Sequence, residues 1–207
     1  MIKGGKFITF EGGEGVGKST QVKILADKLT ENGIDVVLTR EPGGAPGAEE
    51  IRALLVKGST DKFAPMTEAL LHNAARAEHL EKTVKPALDA GKWVISDRYA
   101  DSTLAYQGYG QGVDMKTLLD LHRVATGDFW PDLTIVLDGH ELDRATAREE
   151  QNTDKEDRYE RMGGDFHEKL QQSFLDIAKN NQKRCTVISA AGTIDDVAKR
   201  VWESVDV

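Results

Sequence analysis

One cysteine in 207 residues leaves no partner for an internal disulfide and no cysteine cluster for a metal. Cys185 stands just before the apolar run Thr186-Val-Ile188, a place that suits a buried strand filler. Nowhere do 18 apolar residues follow one another, so no membrane-spanning helix is expected. The opening Met-Ile-Lys-Gly-Gly-Lys leads straight into an apolar segment without a signal-peptide pattern, and the expected location is the cytoplasm. Positive charge is also in short supply: 27 Lys and Arg stand against 35 Asp and Glu, a net charge of −8. A nucleic-acid binder shows a basic face, so neither nucleic acid nor a membrane is an expected partner. An acidic chain that handles anions must gather its cations locally, which makes each arginine position informative. Repeats, low-complexity tracts, metal-ligand spacings and nucleophile triads are missing. His79, His122, His140 and His167 are scattered and read as structural or exposed.

What is present fits one domain spanning residues 1–207, large enough for a real core and too small for two ordinary ones. Five short apolar runs, at 7–10, 34–38, 93–96, 133–137 and 186–189, are continuous rather than alternating, as in strands buried on both faces. Helical patterns separate them at 21–30, 49–56, 67–90, 115–125 and 194–205, with Pro86 expected to bend the last turn of the long one. Strands alternating with helices predict an α/β fold with a doubly wound, five-stranded parallel sheet flanked by helices. Ligands of such sheets collect at the carboxyl ends of the strands.

Chemistry sits there. The stretch Glu11-Gly-Gly-Glu-Gly-Val-Gly-Lys-Ser-Thr20 fits G-x-x-x-x-G-K-[ST] and lies between an apolar run and a helical pattern, the setting this motif requires. Glycines let successive N–H groups turn toward one phosphate chain, and the helix N-terminus favours the anion. Gly12, Gly13, Glu14, Gly15, Val16, Gly17, Lys18, Ser19 and Thr20 are therefore the candidate residues for binding a nucleoside triphosphate. Lys18 supplies a point charge on the β/γ-phosphates, and Ser19 can hold Mg²⁺. After the third run, Asp97 can reach metal-bound water next to Ser19, the expected second component of such a site. Arg98 follows directly, and Arg40 ends the second run. Two guanidinium forks at neighbouring strand ends suit a second phosphate, that of an acceptor.

Two further patterns stand out. His72 and Arg76 share one helix face, as do Ser102 with Tyr106 and Thr103 with Gln107, groups able to read a base and a sugar. From 141 to 161, thirteen of 21 residues are charged, eight acidic and five basic. That segment reads either as a solvated helix with a mobile turn or as a lid, about 141–162, carrying arginines over the phosphates.

Taken in order, the phosphate loop, Thr39-Arg-Glu-Pro-Gly-Gly44, Ala74-Ala-Arg76, Ser96-Asp-Arg-Tyr99, Ser102-Thr-Leu-Ala-Tyr-Gln107 and Asp157-Arg158 resemble the thymidylate kinase family over nearly the whole chain. The resemblance implies a P-loop nucleoside monophosphate kinase fold with a mobile lid. It also implies phosphoryl transfer from ATP-Mg²⁺ to dTMP, and a homodimer. It implies that Lys18 and the loop amides cradle ATP, that Ser19 and Asp97 hold Mg²⁺, and that Glu14 lies near the acceptor sugar. Arg40 and Arg98 would clamp the dTMP phosphate. Arg76, Gln107 and Thr103 would meet the pyrimidine, and Tyr106 would crowd the 2′ position. Because Gly15 follows Glu14, the chain resembles the bacterial class that carries its catalytic arginine in the lid. Arg148 and Arg158 are then the candidates, with Arg144 and Arg161 behind them.

At one position the chain departs from the family. Where an aromatic ring usually stacks on the thymine, it has His72, followed by Asn73. A pyrimidine with a polar 5-substituent, such as 5-hydroxymethyl-dUMP, is the alternative acceptor, and a kinase for another nucleoside monophosphate is a further one. A P-loop switch protein is the alternative from a different class. The guanine-specific N-K-x-D and D-x-x-G elements are absent, and acceptor-side arginines have no purpose in a switch.

Overall fold

A computed structural model describes residues 4–139, 158, 159, 162 and 164–205. Five parallel strands, β1 (Phe7–Glu11), β2 (Val36–Arg40), β3 (Trp93–Asp97), β4 (Leu133–Asp138) and β5 (Cys185–Ser189), form one sheet in the order β2-β3-β1-β4-β5. Alternate residues of β1 show why both faces need cover. Ile8 and Phe10 join a core with Leu25 and Leu29 of α1 (Lys18–Glu31) and Val197 and Val201 of α8 (Ile194–Glu203). Phe7 points the other way, into a cluster with Leu80, Val84, Val94 and Tyr99. Each such aliphatic or aromatic side chain, fully buried, contributes about 1.5–3 kcal/mol.

β1 and β3 lie side by side, and their connections leave toward opposite edges of the sheet, so a crevice opens beyond their carboxyl ends. Register sharpens this placement. Phe10 pairs with Asp97, and Asp97 pairs with Arg40, so three strands stop on one line. Backbone bonds continue across the line, from Arg98 N–H to Phe10 O and from Glu41 N–H to Asp97 O, both at 2.9 Å.

In three respects the structure differs from what the sequence pattern suggests. The edge strands β2 and β5 are not buried on both faces: Leu38 and Val187 are each 46% exposed, because an edge strand has a neighbour on one side only. The long helical pattern is α3 (Pro65–His79), then a π-helical turn (Leu80–Val84), then α4 (Lys85–Asp89). Pro86 lacks an N–H and its ring crowds the preceding turn. The chain widens just before it, with Lys85 N–H reaching back to Leu80 O. Third, α7 (Gly164–Asn180) covers the sheet with Leu170, Phe174, Ile177 and Ala178. Their spacing is helical, but they follow directly on the charged segment.

The remaining helices are α2 (Pro46–Val56), α5 (Ala100–Thr103) and α6 (Met115–Thr126), with a second π-helical segment (Leu104–Gly110) after α5. Among the described residues no helix is long and apolar enough to cross a membrane.

Candidate active site

The loop between β1 and α1 curls because Gly12, Gly15 and Gly17 adopt φ of 134°, 74° and 87°, values open to glycine. At Gly12 there is no room for a side chain either: a Cβ would lie 2.6 Å from Leu137 O. Lys18, buried at the start of α1, donates to Gly12 O at 3.2 Å and Gly13 O at 2.5 Å. Burial, and then the Arg98 charge, lower its pKa. Ser19 Oγ donates to Asp97 Oδ2 at 2.7 Å, so the hydroxyl from α1 and the carboxylate from β3 converge on one point. Both are oxygen donors, the kind a hard cation such as Mg²⁺ takes.

Arg98 is held at φ 70°, a left-handed conformation that a side chain disfavours, and its guanidinium explains the arrangement. One nitrogen, NH1, donates to Gly12 O at 3.1 Å and Ser102 Oγ at 3.0 Å. The other, NH2, donates to Glu14 Oε1 at 2.8 Å and Tyr106 OH at 3.1 Å. Tyr106 OH in turn donates to the same Glu14 oxygen at 2.6 Å. Burial by itself would raise the Glu14 carboxyl, but Arg98 and Lys18 outweigh it and bring it down to about 2. Beneath this cluster Glu11 is fully buried, accepting from Tyr99 N–H at 2.8 Å and Ser102 Oγ at 2.6 Å. Burial and then Asp101 push its carboxyl up to about 8.

Beyond Arg98 a cleft of about 350 Å³ runs from Lys18 and Ser19 to Gln107 and His72. Arg76 forms part of its wall and is anchored by Glu41 at 2.8 Å, Tyr99 O at 3.2 Å and Thr103 Oγ1 at 3.0 Å. Glu41, next to the cis bond to Pro42, also meets His79 Nδ1 at 2.9 Å. Arg40 stands at the rim, exposed and paired with Glu49 at 3.2 Å. Gln107 donates to buried Glu68 at 3.0 Å, and His72 Nε2 meets Tyr159 OH at 3.0 Å. Burial, then Arg76 and Arg158, bring the His72 imidazole down to about 3, so it is neutral at ordinary pH.

A model of the family described as "Thymidylate kinase" matches residues 10–201. The chain belongs to the thymidylate kinase family. It is 44% identical to a thymidylate kinase of Rhizorhabdus wittichii, covering 97% of this chain and 96% of that one. A thymidylate kinase of Caulobacter vibrioides is 46% identical, again over 97% and 96%. The crystal structure of thymidylate kinase from Ehrlichia chaffeensis superimposes with a TM-score of 0.79 at 36% identity, covering 98% of this chain and all of that one. The chain is thus an enzyme of the kinase class with a P-loop kinase fold.

The fold brings most of the sequence-derived candidates together. Glu14, Gly15, Gly17, Lys18, Ser19, Asp97, Arg98, Arg40, His72, Arg76, Ser102, Thr103, Tyr106 and Gln107 all line the cleft. Gly12 and Gly13 meet it through Lys18, Val16 packs against the core, and Thr20 is exposed on α1. Arg158 does not join them. It is fully buried, ion-paired to Glu68 and donating to Leu55 O at 3.1 Å and Thr60 O at 2.9 Å. That is the position of a structural cation, not of one free over the phosphates, because all its donors are directed into the protein. Arg148, with Arg144, Arg161 and most of the expected lid, lies outside the described residues. Sequence reasoning passed over Glu11, Glu41, Glu68 and Tyr159. Their one visible signal was a carboxylate or hydroxyl in or beside an apolar or motif segment.

Proposed function

We propose that the chain transfers the γ-phosphoryl group of ATP, bound with Mg²⁺, to dTMP, giving dTDP, and that it does so as a cytoplasmic homodimer. The observation that carries this reading is the Arg98 guanidinium, whose two terminal nitrogens each bond both the phosphate loop, at Gly12 or Glu14, and the acceptor wall, at Ser102 or Tyr106. A phosphate donor bound on the loop and an acceptor phosphate bound beyond it would both meet this one cation. Little covalent chemistry is asked of the protein in such a transfer; positioning and charge neutralisation carry it.

Lys18 and the loop N–H groups hold the β/γ-phosphates, and Arg98 with Arg40 holds the acceptor phosphate. Ser19 and Asp97 would hold Mg²⁺, which supplies charge neutralisation on the phosphates when bound. Glu14 keeps Arg98 oriented and Tyr106 hydrogen-bonded near the sugar. Arg76, Thr103 and Gln107 meet the base. Arg148 is the proposed lid arginine, since Arg158 is committed to Glu68. A dimer is supported by exposed Met66 and Leu70, one turn apart on α3, and by exposed Leu119 on the neighbouring α6.

The test is ATP-Mg²⁺-dependent diphosphate formation with dTMP, dUMP, 5-hydroxymethyl-dUMP, dCMP, dGMP and no acceptor. Strong preference for dTMP is expected. 5-Hydroxymethyl-dUMP is the competing acceptor, because His72 places a polar ring on the cleft wall. Preference for it, with loss of that preference in His72→Phe, would replace dTMP. No acceptor-dependent turnover would sink the kinase reading.

A further inference from the structure

Two buried side-chain oxygens at the acceptor end, Gln107 Oε1 and Gln111 Oε1, have no hydrogen-bond partner among the described residues. Buried polar atoms are nearly always paired, so the exception has a cause. Both glutamines send their amide nitrogen to one atom, Glu68 Oε2, at 3.0 Å. Glu68 is fully buried on α3; its Oε1 is ion-paired to Arg158, and Tyr159 OH donates to Oε2 at 3.3 Å. A carboxylate in an ion pair has acceptors only. It draws the amide nitrogens to itself and turns the carbonyl oxygens away. Of the two glutamines, Gln107 lines the cleft, and it is 1% exposed. The amide orientation is normally a matter of assignment; here the chemistry of the partner decides it.

We propose that Glu68 is a positioning residue for substrate choice: it locks the Gln107 amide with its oxygen toward the base and so selects a pyrimidine bearing hydrogen at N3. The proposal rests on the kinase reading above and adds to it a residue that does not touch the acceptor. A uracil or thymine ring offers N3–H to the waiting oxygen. A cytosine ring offers a lone pair at N3, and two acceptors would face each other in a buried place. Sites built to hydrogen-bond one polar group reject an analogue lacking it by up to about 10⁴–10⁵-fold. The carboxylate never touches the substrate; it acts through the flip state of one amide.

The experiment compares kcat/KM for dTMP and 5-methyl-dCMP, which share the 5-methyl group, in the wild type, Glu68→Gln and Glu68→Asp. Gln107→Met shows how much of the preference passes through Gln107. Position 4 also differs between the two acceptors, but Arg76 makes no bond to Glu68, so a change caused by the Glu68 variants reports on Gln107. In Glu68→Gln the new amide offers both a donor and an acceptor, and Gln107 is free to turn. The preference for dTMP is expected to fall at least ten-fold, with 5-methyl-dCMP gaining relative to dTMP. A purely structural role would lower both acceptors together and leave the ratio unchanged. Glu68→Asp keeps the negative charge beside Arg158 and serves if Glu68→Gln does not fold. An unchanged ratio in Glu68→Gln overturns the proposal; where only Glu68→Asp folds, an unchanged ratio in Gln107→Met overturns it. A wild type that uses both acceptors equally overturns it while leaving the kinase reading intact; one that uses neither acceptor removes both.

Discussion

Arg98 NH2 stands 2.8 Å from Glu14 Oε1, so a guanidinium that starts at the end of β3 is held by the loop that follows β1. The two halves of the site are therefore one hydrogen-bonded unit. Left-handed backbone at a residue with a side chain costs on the order of 1–3 kcal/mol and persists only where the surroundings over-determine it. Here four side-chain bonds to Gly12, Ser102, Glu14 and Tyr106 do so.

Glu14→Gln should lower kcat/KM for dTMP, because Arg98 loses its charged partner. It should also change acid stability. The folded carboxyl lies near 2 against an ordinary 4.5, so its contribution is present above about 4.5 and is lost as pH falls toward 2. Urea unfolding from pH 6 to pH 3 should show a shallower decline in the variant than in the wild type. Parallel curves would mean that Arg98 does not hold this carboxylate in solution.

Gly12→Ala places a methyl group 2.6 Å from the Leu137 carbonyl at a φ of 134°. Backbone strain of about 1–3 kcal/mol corresponds to a fall in Tm of roughly 2–12 °C for a chain of this size. KM for ATP should rise, since the loop must open to accept the methyl. A normal Tm with normal KM would show that the turn relaxes freely.

Arg158 and Arg148 should separate by readout. Arg158→Met strands the buried Glu68 carboxylate, and removing one partner of such a pair costs about 3–5 kcal/mol. Thermal denaturation should therefore register that change first. Arg148→Met should leave Tm in place and cut kcat, by up to about 10³–10⁵ if it supplies the charge on the transferring group. The reverse pattern would return the catalytic role to Arg158.

His72→Phe should flatten the stability profile on the acid side. The folded imidazole lies near 3 and the unfolded one near 6.5, so the unfolded chain binds the extra proton between those values. Wild-type stability falls as pH drops through that window, and the phenylalanine variant lacks this part of the slope. Denaturant midpoints at pH 7 and pH 5 measure it; an equal drop in both proteins would place the imidazole in solvent.

Much of this was readable from residue order alone. The run Phe-Ile-Thr-Phe before G-x-x-x-x-G-K-S, Asp97-Arg98 and Arg40 at strand ends, and the alternation of apolar runs with helical periods led to a parallel sheet with a phosphate loop, because these are local signals with one compatible backbone. The π-helical turn ahead of Pro86 and the exposed faces of β2 and β5 were not readable, since each depends on what packs beside the segment.

Residue types and spacing determined by themselves that this chain carries a phosphate-loop motif and sets Arg40, Asp97 and Arg98 at neighbouring strand ends. Only the tertiary structure decided which side chain faces which: that Arg158 turns inward to Glu68, that Glu68 turns Gln107, and that Glu14 grips Arg98. Those choices join residues 84 to 90 positions apart in two of the three cases. They follow from the desolvation of buried charge, which makes each cation and carboxylate seek a partner across the fold rather than along the chain.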